Sequence, residues 1–266
     1  MYSILEHYLS TNHILMIGMI VTFILTFFLL EHPFSFLPSD QGRAFAVNGS
    51  LSKGKLRGVG FIFVLCFLIS SVLFLPIDVE YVIYAILLFA MMISGYLDDA
   101  SKTPWNEYKK GLIDLVISVV AVVTYMNFNS TTICFGADEI VIPKALFLIL
   151  GVILIWVSVN VTNCTDGVDG LCASLCSVTL LAFGVLFAPV LQKYAMANFL
   201  FLSVLFAYLY FNSSPSSMLM GDAGSRALGF YIAVIALKST HPFIYILLAA
   251  VMIVDGGIGL VKIALK

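Results

Sequence analysis

The stretch YVIYAILLFAMMISGYLDDASK, residues 81–102, holds an uncharged apolar run that ends in two aspartates and a lysine. A helix needs about 20 mostly apolar residues to cross a lipid bilayer, and about 17 are the lower bound. The run Tyr81–Leu97 therefore predicts a transmembrane helix. Asp98, Asp99 and Lys102 follow where this helix leaves the hydrocarbon, a position that calls for a chemical explanation.

The composition of the whole chain is typical of a membrane protein. Its 266 residues are 61% hydrophobic and 11% charged, whereas a soluble domain is about half apolar and about a quarter charged. Only closed hydrogen-bonded structures cross lipid, and the apolar runs are too long for barrel strands. The sequence therefore predicts an all-α bundle of nine transmembrane helices. The fourth and eighth apolar runs are short, and these helices are expected to extend into flanking polar residues or to lie beside a cavity. The nine runs are Ile14–Leu30, Val59–Leu75, Tyr81–Leu97, Leu112–Met126, Ala145–Val161, Leu171–Val190, Ala195–Phe211, Ala227–Leu237 and Phe243–Leu260.

The distribution of basic residues predicts the orientation, because cytoplasmic loops carry more Lys and Arg than outer loops. With the N-terminus outside, three of the thirteen basic residues fall on the outer side, namely Lys144, Lys193 and Lys238. The other ten fall on the inner side and are Arg43, Lys53, Lys55, Arg57, Lys102, Lys109, Lys110, Arg226, Lys262 and Lys266. This strong bias favours the chosen orientation.

One outer loop is expected to have a structure of its own. The segment TTICFGADEIVIP, residues 131–143, has two β-prone runs around Gly136 and Ala137, which is typical of a small β-hairpin. No internal repeat or low-complexity segment is visible, so residues 1–266 are interpreted as a single integral membrane domain. The net charge of −2 gives no indication of nucleic-acid binding.

Five carboxylates lie at the predicted inner ends of helices, on three separate loops. The loops read GYLDDASK (95–102), NCTDGVDGL (163–171) and MGDAGSRALGF (220–230). Their carboxylates are Asp98, Asp99, Asp166, Asp169 and Asp222. Such aspartates can simply cap helices. Ionisable residues at membrane depth are costly, however, and three such loops on one face favour a functional site.

The residue types in these loops indicate phosphate chemistry. Glycines such as Gly167 let backbone approach a ligand closely, and N–H groups at helix starts favour phosphate. Carboxylates repel phosphate, but they can hold Mg²⁺, which bridges to phosphate oxygens. Lys102 and Lys110 add positive charge on the same face. We therefore predict phosphoryl transfer on a nucleotide-like substrate at the membrane surface, with a lipid as the acceptor.

At these residues the sequence resembles a known family. DDASK matches a D-D-x-x-K motif, NCTDGVDGL resembles N-x-x-D-G-x-D-G-L, and GDAGS followed by LGF matches a third signature. From about Arg43 to its C-terminus the chain is similar to the polyprenyl-phosphate N-acetylhexosamine-1-phosphate transferases. Within that superfamily it looks most like the bacterial phospho-MurNAc-pentapeptide transferases.

The resemblance implies a reaction and its site. UDP-MurNAc-pentapeptide would give its sugar-1-phosphate to undecaprenyl phosphate in a Mg²⁺-dependent step of peptidoglycan synthesis, with lipid I and UMP as products. The resemblance also implies a multi-pass protein among the lipids of the bacterial plasma membrane, an active site on the cytoplasmic face, and a homodimer. The expected catalytic residues are Asp98, Asp99, Asp222 and Lys102, with Asp222 also a metal ligand. The expected substrate-binding residues are Asn163, Asp166, Gly167, Asp169, Lys110 and Asn212.

Two features depart from the family pattern. Where the family has a T-P-T-M-G-G-like stretch, this chain reads GKLRGVG (54–60), and Lys55 and Arg57 receive no assigned role. The family's histidine-containing inner loop and its final helix have no counterpart before Lys266. Two alternatives stay open: a UDP-GlcNAc-1-phosphate transferase of the same superfamily and, from another class, a secondary transporter.

The adjacent aspartates are predicted to have different tasks, because neighbouring helical residues point about 100° apart. In one mechanism an aspartate attacks the donor phosphate and forms a covalent intermediate. In the other it only orients or deprotonates the lipid phosphate, which attacks directly. A phosphate monoester has a second pKa near about 6, so its dianion is abundant at neutral pH. We therefore favour direct attack, with Asp98 at the lipid phosphate and Asp99 supporting the metal.

Overall fold

The computed structural model describes residues 1–32, 34–40, 42, 53–101, 103, 105–136 and 138–264 of the chain. This part of the chain forms twelve α-helices and one two-stranded sheet. The helices are α1 (Tyr2–Leu5), α2 (Thr11–Glu31), α3 (Gly60–Phe74), α4 (Val79–Asp99), α5 (Glu107–Phe128), α6 (Lys144–Thr165), α7 (Leu171–Leu186), α8 (Ala188–Leu191), α9 (Lys193–Asn212), α10 (Gly221–Lys238), α11 (Ile244–Leu248) and α12 (Ala250–Ala264). The strands are β1 (Thr132–Phe135) and β2 (Asp138–Val141).

The prediction of an all-α membrane bundle is confirmed, and each predicted apolar run corresponds to a helix or a broken helix. Among the described residues, α2, α4, α5, α6 and α9 are long and apolar enough to cross a membrane. Shorter apolar helices are α3, α7 and the segment Ala250–Gly259 of α12. The two short predicted runs extend into polar flanks, since α5 begins at Glu107 and α10 at Gly221. The ninth run is divided at Ala249, between α11 and α12.

Helix α10 is the central element of the bundle. Every residue from Gly221 to Leu237 is buried, and the helix packs against α3, α4, α6 and α7. Asp222, Ser225 and Arg226 are therefore enclosed by protein. Polar residues at membrane depth are tolerated in such a position because neighbouring helices supply partners that lipid cannot.

Two glycines allow the end of α4 to touch the start of α10. At Gly95 a Cβ atom would overlap the backbone of Asp222, so only a glycine permits this approach. Gly221 has a φ of +66°, which favours glycine, and a Cβ there would collide with the carboxylate of Asp99. The close approach brings the acidic end of α4 against the acidic start of α10.

The predicted hairpin lies at the opposite end of the bundle. Strands β1 and β2 pair antiparallel, from Thr132 opposite Val141 to Phe135 opposite Asp138, and the prediction for 131–143 is confirmed apart from Ala137, which lies outside the described residues. The hairpin is held near the end of α10 by the Cys134 N–H, which donates to the carbonyl of residue 240 at 2.9 Å. Helix α4 has 21 residues, and a rise of about 1.5 Å per residue separates its two ends by about 30 Å.

Candidate active site

A cavity of about 500 Å³ opens where α4 ends and α10 begins. Its wall contains carboxylates, cations and one amide, together with the backbone near residues 38–39 and 100–101. Of the residues predicted from the sequence, it is lined by Asp98, Asp99, Asp222, Lys110 and Asn163. The structure thus brings side chains from α4, α5, α6 and α10 to one place, and Arg57 joins them.

The two adjacent aspartates have different neighbours, as the geometry of a helix predicts. Asp98 is 7% exposed, and its Oδ2 lies 2.7 Å from Nζ of Lys110. Its Oδ1 accepts a hydrogen bond of 2.7 Å from the N–H of Trp105. The Asp99 side chain is fully buried, and its Oδ2 accepts from the N–H of Ala223 at 3.3 Å. Asp98 therefore faces the start of α5, and Asp99 faces α10.

Arg57 contacts three carboxylates at once. Its Nε lies 2.8 Å from Oδ1 of Asp99, and its two terminal nitrogens lie 3.3 Å from Asp40 and 3.3 Å from Asp222. The Nε–H is not aligned with the Asp99 oxygen, so that contact is an ion pair without a hydrogen bond. Burial lowers the pKa of Arg57, but the charges of Asp99, Asp222 and Asp40 outweigh burial and raise this pKa above its usual range. The guanidinium stays charged and compensates the acidic wall.

The backbone around Arg57 explains how the side chain reaches the cavity. The N–H of Arg57 donates to the carbonyl of Pro38 at 2.9 Å, and the N–H of Leu219 donates to the carbonyl of Leu56 at 2.8 Å. The stretch GKLRGVG (54–60) is thus held between the segment that follows α2 and the segment that precedes α10. Sequence reasoning missed Arg57 as a site residue, and the only available signal was a basic residue between glycines directly before an apolar run.

Two ion pairs connect α10 to α5 beside the cavity. Oδ2 of Asp222 lies 3.7 Å from Nζ of Lys110. One helical turn further along both helices, Arg226 contacts Asp114 at 2.5 Å, and both of these side chains are buried. Neither Arg226 nor Asp114 was predicted as a site residue. The buried pair fixes the register of the two helices that present Asp222 and Lys110.

The 163–171 loop contributes to the site from the end of α6. The Asn163 side chain lines the cavity and donates to Oγ of Ser225 at 3.0 Å. The charge of Asp166 acts on Arg57, and the backbone of Gly167 is half-buried near the turn. Together these contacts place the first half of the loop beside the cavity.

Two residues predicted to bind substrate connect loops instead of lining the cavity. Oδ2 of Asp169 accepts from the N–H of Ser216 at 2.9 Å and lies 3.7 Å from Nζ of Lys55. Partial burial raises the pKa of Asp169, but the hydrogen bonds from Ser216 and the charge of Lys55 outweigh burial and lower it. Buried Asn212 accepts from the N–H of Gly170 at 3.0 Å. Both side chains tie the 163–171 loop to the segment before α10.

Replacing Asp169 with alanine is expected to weaken nucleotide binding by about 10-fold, because removal of one charged hydrogen-bond partner costs about 1.5–3 kcal/mol. The matched variant is Asp169→Asn, which keeps an oxygen that can accept from Ser216 and should bind nucleotide more tightly than the alanine variant. Nucleotide affinity and the KM for the lipid acceptor are measured separately, and only the former should change. An equal loss in both variants would show that the charge of Asp169, and not its bond to Ser216, supports nucleotide binding.

The predicted metal ligand has a donor set that suits Mg²⁺. Mg²⁺ keeps several waters and usually takes only one or two carboxylates besides substrate phosphates. Asp222 and Asp99 provide two carboxylates, and Oδ1 of Asp99 has no hydrogen-bond partner. Within the described residues, no group of three or more His, Cys, Asp or Glu forms a complete metal site, so water or substrate phosphates would supply the remaining ligands. Lys102, the remaining predicted catalytic residue, lies outside the described residues.

Comparisons with known proteins show what the chain is similar to. The family model described as glycosyl transferase family 4 matches residues 81–240, which include the acidic ends of α4, α6 and α10. The phospho-N-acetylmuramoyl-pentapeptide-transferase of Treponema pallidum (strain Nichols) is 35% identical over an alignment of 271 positions. The alignment covers 94% of this chain and 75% of that protein. Two proteins of the same name are also similar. The one from Halalkalibacterium halodurans is 28% identical and is matched over 92% of this chain and 81% of its own length. The one from Microcystis aeruginosa is 32% identical and is matched over 68% of this chain and 53% of its own length.

Proposed function

The chain belongs to glycosyl transferase family 4, and we propose that it transfers phospho-MurNAc-pentapeptide from UDP-MurNAc-pentapeptide to undecaprenyl phosphate, with lipid I and UMP as products. The names of its relatives support phospho-N-acetylmuramoyl-pentapeptide as the transferred group. The main support for the proposal is that one cavity brings three carboxylates together with Arg57 and Lys110. Its mixture of charges suits a diphosphate together with a divalent cation.

The charged residues divide naturally between the metal and the phosphates. We assign Asp222 and Asp99 to Mg²⁺, because they lie together on the wall between α4 and α10. When bound, the ion would neutralise charge on the phosphate oxygens in the transition state. Lys110 lies on the cavity wall between Asp98 and Asp222, where its ammonium group can contact a donor phosphate oxygen. Positioning and neutralisation of charge account for most catalysis of phosphoryl transfer.

The acceptor phosphate is assigned to Asp98, in a direct attack. An oxygen of the lipid phosphate bonds to the phosphorus next to the sugar, the bond from that phosphorus to the bridging oxygen breaks, and UMP leaves. Asp99 is poorly placed as a nucleophile, because its side chain is buried and paired with Arg57. The side chain of Asp98 is slightly more exposed than that of Asp99 and already faces Lys110, so it can orient the incoming phosphate or accept its proton. This arrangement supports direct attack over a covalent intermediate.

The test is a transfer assay with purified protein in detergent. Labelled UDP-MurNAc-pentapeptide with undecaprenyl phosphate and Mg²⁺ should give a lipid-linked product. Labelled UDP-GlcNAc in a parallel reaction should not, and the opposite result would favour the alternative donor. A third reaction omits the lipid and adds labelled UMP. Label that rapidly enters the donor there would establish a covalent intermediate and overturn direct attack.

We also propose that the protein lies in the bacterial plasma membrane with the cavity on the cytoplasmic face. The bias of Lys and Arg toward the cavity end supports this orientation.

The orientation predicts the labelling of single cysteines in a background without native cysteine. A cysteine at position 138 in the hairpin should react with an impermeant maleimide added to intact cells. A cysteine at position 109, exposed near the cavity, should react only after the membrane is opened. The reverse pattern at the two positions would contradict the proposed orientation.

A further inference from the structure

The Arg57 side chain contacts the two carboxylates that we assign to the metal. Each of its three guanidinium nitrogens lies against a different carboxylate, and two of these, Asp99 and Asp222, are the carboxylates assigned above to the divalent cation. A metal ion on the oxygens that face Arg57 would compete with the guanidinium, because two cations held against the same carboxylate oxygens repel each other. The contacts of Arg57 to Asp99 and Asp222 are therefore expected to compete with metal binding.

We propose that Arg57 acts as an internal substitute for the divalent cation: it holds Asp99 and Asp222 while the site is empty and releases them when the metal binds. The inference rests on the proposed function for the divalent cation and for the assignment of Asp99 and Asp222 as its ligands.

The physical need for such a substitute is the burial of the two acids. Asp222 is 9% exposed, the Asp99 side chain is fully buried, and the two come from elements packed in backbone contact at Gly95. Buried carboxylates without a counter-charge are costly, and like charges close together make each other less stable. Lys110 compensates only part of this charge, because its shortest contact is to Asp98. Arg57 and the more distant Arg226 add further positive charge beside Asp222, and Arg57 contacts both acids directly.

The geometry also lets Arg57 leave without being lost from the site. Its side chain is 30% exposed and lines a cavity of about 500 Å³, so the guanidinium has room to move. Its contact to buried Asp40 involves a carboxylate outside the cavity wall and can persist as a tether. A guanidinium released in this way stays beside the donor phosphates, for which its planar set of N–H groups is well suited.

The first test measures metal binding without any nucleotide or lipid. Mn²⁺ is titrated into the purified full chain in detergent, and the free ion is followed by electron paramagnetic resonance. Arg57→Gln should bind Mn²⁺ about 10-fold more tightly than the unmodified chain, within the usual range for coupling between two ligands of one site. Arg57→Lys, which keeps the charge but lacks the fork of nitrogens, should be intermediate.

The matched control is Lys109→Gln. It removes one positive charge from the neighbour of Lys110, but Lys109 is exposed and lies over the ring of Trp105, 3.3 Å from its centroid. The affinity of the Lys109→Gln variant for Mn²⁺ should match that of the unmodified chain. An unchanged or weaker affinity in Arg57→Gln would overturn the proposal, and so would an equal gain in Lys109→Gln, because the effect would then be general electrostatics.

A second measurement uses the unmodified chain and does not depend on whether the variant folds. Phenylglyoxal modifies an arginine faster when fewer carboxylates hold its guanidinium, and release would leave Arg57 with Asp40 alone instead of three carboxylates. Mass spectrometry reports each modified site separately. Saturating Mn²⁺ should speed the modification of Arg57 several-fold, whereas Arg226, which is 2% exposed, serves as the internal reference. An unchanged rate at Arg57 would overturn the proposal. Neither measurement uses the donor or the acceptor, so both can succeed even if the transfer assay fails.

Discussion

Replacing Asp222 with asparagine is expected to lower the rate of transfer at least about 100-fold, the loss that removal of one preorganised electrostatic contact produces in other enzymes. The carboxylate contacts both cations of the cavity, Arg57 at 3.3 Å and Lys110 at 3.7 Å, and it is the assigned metal ligand. A neutral amide loses the charge that a hard cation prefers. The rate of lipid-linked product formation is measured at saturating donor across a range of Mg²⁺ concentrations.

The asparagine variant should still fold, because Arg57 and Lys110 keep Asp99 and Asp98 as partners. A single symmetric peak in size-exclusion chromatography and an unchanged melting temperature check this point. The matched control is Asp138→Asn, the same chemical change in the exposed hairpin at the other end of the bundle, which should transfer normally. Normal turnover of Asp222→Asn at ordinary Mg²⁺ concentration would refute the assigned role.

Replacing Asp114 with leucine is expected to destabilise the folded protein by about 3–5 kcal/mol, the usual cost of leaving one partner of a buried ion pair unpaired. Arg226 would remain charged inside the bundle, at 2% exposure, and its Nη1 already has no hydrogen-bond partner. Unfolding is measured in mixed detergent micelles by titration with a denaturing detergent. Arg226→Leu should be destabilised by a similar amount, since it leaves a buried carboxylate unpaired.

The double variant Asp114→Leu with Arg226→Leu is the decisive control. Replacing both partners of a buried pair with apolar residues is often neutral or stabilising, because no charge is left behind in the protein interior. The double variant should therefore recover most of the stability lost in either single variant. Additive losses in the double variant would mean that the leucines disturb packing, and the ion pair would then not be the cause.

Local properties of the sequence determined the membrane architecture. The thickness of a bilayer fixes how many contiguous apolar residues a spanning helix needs, so runs such as Tyr81–Leu97 and Ala145–Val161 could be recognised without knowledge of their neighbours. The hairpin at 131–143 was equally local, because its two strands are joined by a short turn. The exact bounds were less accessible, since α10 begins among polar residues that only a buried position can accommodate.

The candidate site was predictable only where its residues lie at the ends of such runs. Asp98, Asp99 and Asp222 could be placed on one face because each sits where an apolar run begins or ends, and alternation of the runs fixes the side. Asn163 and Lys110 could be placed in the same way. The different partners of Asp98 and Asp99 also followed from the angle between adjacent helical residues.

The partners of these residues were decided by tertiary structure alone. Arg57 meets Asp222 across 165 positions of sequence, and Arg226 meets Asp114 across 112. Such pairs depend on which helices are in contact and on how far each is shifted along its axis. For α4 and α10, the backbone contact at Gly95 determines both. Helix packing also explains why Asp169 binds the N–H of Ser216 instead of lining the cavity. Hydropathy and motif record which residues reach the membrane surface, whereas helix packing decides which of them touch, because contacts between distant segments depend on the whole bundle.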